Sequence, residues 1–570
     1  MLPASRARPS LTDAAPTSSS IRASLNGFAL ASFAALVIAY FWLIDAFAVN
    51  TIWVDQWSDL ALIKQTYSGH LTLSALWAQH TDNRILFPNL VVLLLAKTTH
   101  FNVVDEAFLS ACLLVIATTL LIVGHRRRLN TTPWVFYVPV AIVMFSFAQS
   151  DNTLWGFQFA WYLVLLALSV TLVQCDDPEW SWLIVAGAMV AALIGSYSSV
   201  QGLLIWPSGL VLLLLRRRPL PFVLAWIATG VVTTAIYFVN FDTHNGPSSD
   251  GYIFHHPIQG IRFFFFSVGN VMGHNDRNGS VVLGVLIVLM ALGLTLSALI
   301  RPREDDAAPL GIALISYGLL FALFITDGRA AAGLNAGGAS RYTTFNLLTL
   351  VGCYLVIISR RDAAVRERRN FKFLWWASLG LVGVAVCLTL ILGTINGLDD
   401  AASWQKEQVQ ASEVIVKIKR APDSVVERVL NVNPYYVYQL RDLSAFAQQD
   451  DLSLFASADT VDLYRRTGLP YDSNSLVTAM TSLKDGAGVK GVVLLLATAS
   501  SDYGVEKLDF EVSGAAGYRT ELSGTKTIIG WLAEWNSTGL PDGRYLLHSV
   551  AYDYASHRAD SGTVVVFLGS

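Results

Sequence analysis

The chain has 570 residues, of which 54% are hydrophobic and 14% charged, against roughly 25% charged residues in soluble proteins. Mean hydropathy is +0.49, and 39 Lys and Arg against 42 Asp and Glu leave a net charge of −3. These values exclude a soluble globular enzyme, a disordered chain and a nucleic-acid binder, which needs a basic field to meet phosphates. The apolar residues fall in long blocks, which points to a membrane protein.

Residues 1–26 carry Arg6, Arg8 and Arg22 among Ser, Pro and Ala, and read as a cytoplasmic tail. The apolar block 27–48 is long enough to span and lacks a small-residue cleavage site, so it reads as a retained helix. Further blocks lie at 104–124, 133–149, 155–174, 181–197, 201–215, 220–240, 278–300, 308–326, 343–359 and 372–394, giving about eleven transmembrane helices. The block 201–215 is the shortest. Cys112, Cys175, Cys353 and Cys387 lie in or at the ends of these blocks without a CxxC spacing, and read as small core residues.

Short loops rich in Arg fix the orientation. Arg126–Arg128, Arg216–Arg218, Arg301, Arg303, Arg360, Arg361, Arg366, Arg368 and Arg369 fall on the side of the N-terminus, which is therefore cytoplasmic. The acidic turn Cys175–Glu179 is the weak point of that assignment. The segments 49–103, 241–277 and 327–342 face the other side and exceed what connection needs, so a site is expected there. With eleven spans, everything after 394 is extracytoplasmic. Residues 395–492 are polar with helical periodicity, as in Glu407–Arg420 and Tyr436–Phe446.

Residues 493–570 change to β-branched and aromatic runs at Val492–Leu496, Leu508–Val512, Thr527–Trp531, Tyr545–Tyr552 and Thr563–Phe567, separated by turns such as Pro541-Asp542-Gly543. This pattern reads as a small β-sandwich. The run from Gly530-Trp531 through Glu534-Trp535-Asn536 to Tyr545 resembles immunoglobulin-like modules of exported bacterial proteins, which implies packing, carbohydrate or partner contact rather than catalysis.

The first outer loop opens Trp53-Val54-Asp55-Gln56-Trp57-Ser58-Asp59. It continues to Gln79-His80-Thr81-Asp82-Asn83-Arg84, ahead of an apolar stretch, 86–97, that suits a helix lying along the surface. A retained first helix, an acidic residue beyond its outer end, surface helices and a His- and Pro-containing approach to the next helix resemble the GT-C superfamily of polytopic glycosyltransferases, such as protein O-mannosyltransferases and aminoarabinose transferases. That resemblance implies a polyprenyl-phosphate sugar as donor, an inverting single displacement and a catalytic acid in this loop. Asp55 stands at the acid's place, but Gln56 replaces the Glu that often follows. The residue reads as a base, since a carboxylate at a half-dry interface is a stronger one, or as a helix cap. Asp59, four residues on, is the second candidate.

His80 and Asn83 are candidate substrate ligands, and Arg84 a phosphate ligand through paired hydrogen bonds. Asp151 and Asn152 lie at a tight outer turn where a charge is costly unless it faces a polar cavity. Gln158 follows them, with Trp155 as a sugar-stacking or belt residue. Gln201 lies in the polar outer turn after Ser196. The pair Arg341-Tyr342, at the start of a span, is similar to an Arg-Tyr in these transferases where the arginine meets the lipid-linked phosphate. Asp45 lies near the outer end of the first span, where a functional role and simple solvation stay open. His255, His256 and Arg262 precede Phe263–Phe266, which read as a lipid-facing interfacial helix.

The expected organisation is thus an α-helical polytopic membrane protein in a bacterial cytoplasmic (inner) membrane. It has a transmembrane domain over 27–394, an extracytoplasmic helical region over 395–492 and a β-sandwich over 493–570. The expected function is transfer of a sugar from a polyprenyl-phosphate donor to a cell-envelope glycan, lipid or protein acceptor. No metal-ligand spacing occurs, so no cofactor is expected, and divalent-metal dependence stays open. The alternatives are a transporter or flippase of lipid-linked glycans, against which stands the lack of an internal repeat, and a non-catalytic envelope scaffold.

Overall fold

The computed structural model describes residues 18–129, 132–242, 251–272, 277–300, 307–366, 373–456, 476–501, 505–527, 529–553 and 557–569. Most of the N-terminal tail, with Arg6 and Arg8, lies outside them, as do Arg301, Arg303, Arg368 and Arg369. The described residues form two compact units. The first takes residues 1–48, 72–91 and 104–402, and the second 49–71, 92–103 and 403–570. The first outer loop expected within one transmembrane domain is therefore divided, and Asp55 and Asp59 belong with the C-terminal unit.

Among the described residues nine helices are long and apolar enough to cross a membrane. All eleven apolar blocks are helical, but Trp182–Ser196 and Val200–Leu215 are shorter than the rest. At 1.5 Å per residue, 15 residues reach only about 22 Å of a roughly 30 Å core. They meet at a close turn, where a Cβ on Gly202 would lie 1.9 Å from the Gly195 carbonyl oxygen. The last apolar helix does not stop near 394 but runs as Phe373–Val416.

In the first unit the helix Ser340–Arg366 is the core element, and its apolar window is wholly buried. It packs on Ala308–Arg329 through small residues: a Cβ on Gly352 would meet the Gly311 carbonyl oxygen at 2.5 Å. Such close backbone approach is how apolar helices gain contact where lipid offers no hydrophobic drive. The acidic turn after Cys175 has a structural answer. Asp176 is held by Arg216 at 2.5 Å and Arg128 at 3.4 Å, while Arg218 lies 4.0 Å over the Trp180 ring. Burial, then Arg128 and Arg216 beside it, lowers the Arg218 guanidinium to about 10. Two of the four cysteines depart from the expected core role, since Cys112 and Cys387 are exposed on the helices.

In the second unit the sequence-distant pieces are tied by polar contacts. Lys64 pairs with Asp442 at 2.6 Å, Thr51 Oγ1 donates to Gln408 O, and Ser453 donates to His100 O through its amide and to Asn50 through its hydroxyl. Helices Asp423–Leu430 and Val437–Gln449 precede the β-region.

A two-stranded hairpin, β1 (Gln79–His80) and β2 (Asn83–Arg84), belongs to the first unit. The second unit's strands are β3 (Val477–Met480), β4 (Ala487–Val489), β5 (Val492–Ser500), β6 (Val505–Gly514), β7 (Arg519–Ser523), β8 (Thr525–Thr527), β9 (Gly530–Asn536), β10 (Gly543–Asp553), β11 (Arg558–Asp560) and β12 (Val564–Leu568). One sheet runs β3-β5-β9-β8; the other runs β4-β12-β10-β6-β7 with β11 on β10. Leu495, Trp531 and Trp535 of the first sheet share a core with Phe510, Tyr545, Leu547 and Val566 of the second. This is a two-layer sandwich, and it begins before 493, because β3 and β4 supply an edge strand to each sheet. The expected run Thr527–Trp531 is split between β8 and β9.

Candidate functional site

Of the polar residues that sequence placed at one membrane face, those in the first unit fall into two groups. The first group surrounds the turn that closes the span Trp134–Leu154. Gln149 and Asn152 are buried there, in a bundle that offers little water. An unpaired amide in such surroundings costs several kcal/mol, so partners are required. Gln149 Nε2 donates to Met144 O at 2.7 Å, and its Oε1 accepts from Thr344 Oγ1 at 2.7 Å and from Tyr162 at 3.3 Å. Tyr40 Oη lies 2.7 Å from both Thr153 Oγ1 and Tyr162 Oη.

Asn152 Nδ2 donates to Arg341 O at 2.7 Å and to Thr344 Oγ1 at 2.8 Å. Ser340 Oγ accepts from the Asp151 amide at 3.0 Å and lies 3.3 Å from Ser150 Oγ, which also reaches Asp400 at 3.4 Å. These bonds hold the acidic turn Ser150–Asn152 against the start of helix Ser340–Arg366. Both amide protons of Asn152 are used on the protein, which positions the Arg341 main chain, while its Oδ1 is buried without a hydrogen bond among the described residues. Asp151 and Arg341 remain half-buried. The Arg341 guanidinium stands 5.3 Å from the Tyr342 ring centre. Tyr342 itself is buried, with its ring near Trp161 and Phe321. Sequence reading missed Gln149, Thr344, Tyr40, Tyr162 and Asp400. The available signal was polar side chains inside apolar blocks.

The second group is built on the β1–β2 hairpin, whose turn holds Thr81 at φ 48°. Asn83 Oδ1 accepts from Ser199 Oγ at 2.8 Å and from the Val200 amide at 3.0 Å, so Asn83 braces the neighbouring turn. Ser199 Oγ also lies 2.7 Å from Gln201 Oε1. Gln201 Nε2 and Gln158 Oε1 are buried without a hydrogen bond among the described residues. The His80 ring sits 5.4 Å from Phe157, which stacks on Trp155. Trp155 is buried, which removes it from both a sugar platform and a lipid-facing belt.

Arg84 departs from the phosphate role expected of it. Its guanidinium donates to Trp77 O (2.8 Å), Val239 O (2.7 Å), Tyr237 O (3.3 Å) and Asn240 O (3.3 Å). It lies 5.4 Å from the Trp77 ring centre. The carbonyls of Tyr237, Val239 and Asn240 lie at the C-terminal end of helix Leu220–Tyr237, and a cation is the natural partner for that end of the helix; Trp77 O ends the short helix Leu73–Trp77. The expected lipid-facing helix at Phe263–Phe266 is also different: Phe263 and Phe266 are buried in the first unit.

Asp55 and Asp59 open the helix Gln56–Tyr67 of the second unit. Asp55 occupies the cap position, yet its side chain makes no capping hydrogen bond; Gln56 Oε1 instead accepts from the Trp53 amide at 3.2 Å. The helix-cap reading of the Asp55 carboxylate is therefore set aside. The residue before it, Val54, has φ 43°. A β-branched side chain in that region costs about 1–3 kcal/mol, a strain that clusters at functional positions. Asp59 is 2% exposed in the helix's first turn, where the helix dipole favours a carboxylate. Burial, with Asp450 secondary, raises the Tyr67 phenol at the far end of this helix. Among the described residues no three His, Cys, Asp or Glu side chains gather as a metal site.

No family profile and no curated protein sequence matches the chain. Two solved structures are similar to it. One is ArnT from Cupriavidus metallidurans bound to undecaprenyl phosphate, at 13% identity and TM-score 0.40, over 80% of this chain and 93% of that one. The other is an endo-beta-1,4-mannanase from Thermotoga petrophila, at 14% identity and TM-score 0.15, over 24% of each chain. At these scores neither carries the functional argument, which rests on the residues.

Proposed function

We propose that the chain is an integral-membrane glycosyltransferase that moves a sugar from a polyprenyl phosphate to a hydroxyl of an extracytoplasmic acceptor. One observation supports this above the rest: the acid-bearing turn Ser150–Asn152 is pinned by hydrogen bonds to the arginine-bearing start of helix Ser340–Arg366. That arrangement fixes a carboxylate and a guanidinium at one end of an apolar bundle, where a charged headgroup has to be met.

In the proposed reaction the acceptor oxygen attacks the anomeric carbon and the bond from that carbon to the phosphate oxygen breaks. The acceptor's proton passes to a carboxylate base, a role for which the sequence resemblance supplies Asp55, and the electron pair leaves on polyprenyl phosphate. Arg341 stabilises the charge that grows on the departing phosphate. His80 contacts the sugar, and Asp151 orients acceptor or donor beside Arg341. Arg84 has no part in it. The N-terminus is assigned to the cytoplasm and the C-terminal unit to the outside, in a bacterial inner membrane.

The test is a donor screen. Purified protein in lipid receives a panel of polyprenyl-phosphate sugars with cell-envelope glycans as acceptor, and free polyprenyl phosphate is measured for wild type and Asp55→Asn. Release from one donor, lost in the variant, is expected. Release by Asp55→Asn at the wild-type rate would remove Asp55 as base, and no release from any donor would remove the transferase reading.

A further inference from the structure

At the end of the bundle opposite Asp151 and Arg341, an apolar cleft of about 390 Å³ lies within the first unit. It falls in the roughly 300–1,000 Å³ range of small-molecule pockets. Helices Ser18–Phe47 and Val103–Arg126 and the start of the span Trp134–Leu154 form it, through Leu30, Phe33, Ile122, Val123, Trp134 and Val138. Its lining holds no charged side chain. One wall is stiff, because Tyr137 Oη lies 2.9 Å from the ring of buried His125, whose other nitrogen is 2.9 Å from Ser359 Oγ.

The rim is cationic. Arg126 lies 5.6 Å from the centre of the Trp134 ring that lines the cleft. Its Nη1 donates to Leu129 O at 2.5 Å, while its Nε is buried with no hydrogen bond among the described residues. Arg127 is exposed beside it. An apolar cleft lined by a Trp134 ring with a guanidinium 5.6 Å from its centre has the chemistry of an acyl chain joined to an anionic headgroup. Basic pockets between spans on the cytoplasmic side are suited to anionic lipid headgroups.

We infer that this cleft binds one anionic glycerophospholipid, with an acyl chain between the first three spans and its phosphate on Arg126. The site is separate from the transfer reaction and does not depend on it. The test is native mass spectrometry of the full chain released from micelles carrying phosphatidylglycerol or phosphatidylcholine. Wild type is expected to retain one phosphatidylglycerol at least tenfold more readily than phosphatidylcholine. Thr119→Phe, which fills the cleft from an exposed lining position, should lose both lipids. Arg126→Gln should keep the chain but lose the headgroup preference, and it guards against a Thr119→Phe protein that fails to fold.

Equal retention of the two lipids by wild type would overturn the headgroup assignment. Undiminished retention by a folded Thr119→Phe protein would overturn the acyl-chain assignment. Displacement of the lipid by inorganic phosphate alone would overturn the acyl-chain assignment, since it would show that hydrocarbon adds nothing. Preferential retention of polyprenyl phosphate over phosphatidylglycerol would replace the proposed occupant.

Discussion

Replacing Arg84 by Gln separates a structural guanidinium from a ligand. Four carbonyls accept from Arg84, and each charge-assisted bond contributes about 1.5 kcal/mol or more, a nominal sum near 6 kcal/mol. Val239 and Asn240 are exposed, so water replaces the lost donor there, and the uncompensated loss falls on Tyr237 O and Trp77 O. Adding about 0.5–1 kcal/mol for the cation over Trp77 gives a net cost of roughly 3–4 kcal/mol. At about 2 °C per kcal/mol for a large domain, the midpoint of thermal unfolding in micelles should fall by about 6–8 °C. The assay is retention of the monodisperse species after heating, read together with the KM for the lipid donor. The expected result is the lower midpoint with KM unchanged in the folded fraction. An unchanged midpoint with KM raised tenfold would refute the helix-end role and restore Arg84 as a phosphate ligand.

Asp55→Asn should reduce turnover by about 10²–10⁴-fold with the unfolding midpoint held, as expected for loss of a general base, measured as polyprenyl phosphate release. Asn152→Leu removes two buried donors and frees the Arg341 main chain; it should lose about 2–4 kcal/mol of stability and lower kcat, so a variant with wild-type kcat would contradict the positioning role. Gly352→Val places side-chain atoms where the Gly311 carbonyl already sits and should prevent the two helices from packing; recovery of monodisperse protein at wild-type yield would count against that contact. Trp535→Ala, in the shared core of the sandwich, should cost about 3–5 kcal/mol and expose the C-terminal unit to limited proteolysis, an effect that equal digestion rates would rule out.

The apolar pattern alone locates the spans, because a 20-residue apolar run has one stable fate in lipid, and each long block from Ala23–Phe47 to Trp375–Val416 is helical. It also determined the β-character of the C-terminus, since alternation over Leu508–Val512 or Tyr545–Tyr552 is local information. The polar turns that came together were legible as outlying groups: Asp151, Asn152 and Arg341 stood out because charge and amide are costly beside hydrocarbon. Which of them touches which was not legible. Asn152, Asn83 and Arg84 looked like ligands, and only the tertiary structure assigned their hydrogen bonds to Arg341 O, to the Ser199–Val200 turn and to the end of helix Leu220–Tyr237. A donor's chemistry is written in its residue type, but its partner is set by contacts more than a hundred residues away. The same holds for the division of the chain: Lys64–Asp442 and Ser453–Asn50 bind the outer loop to the C-terminal unit through pairings that no local pattern encodes.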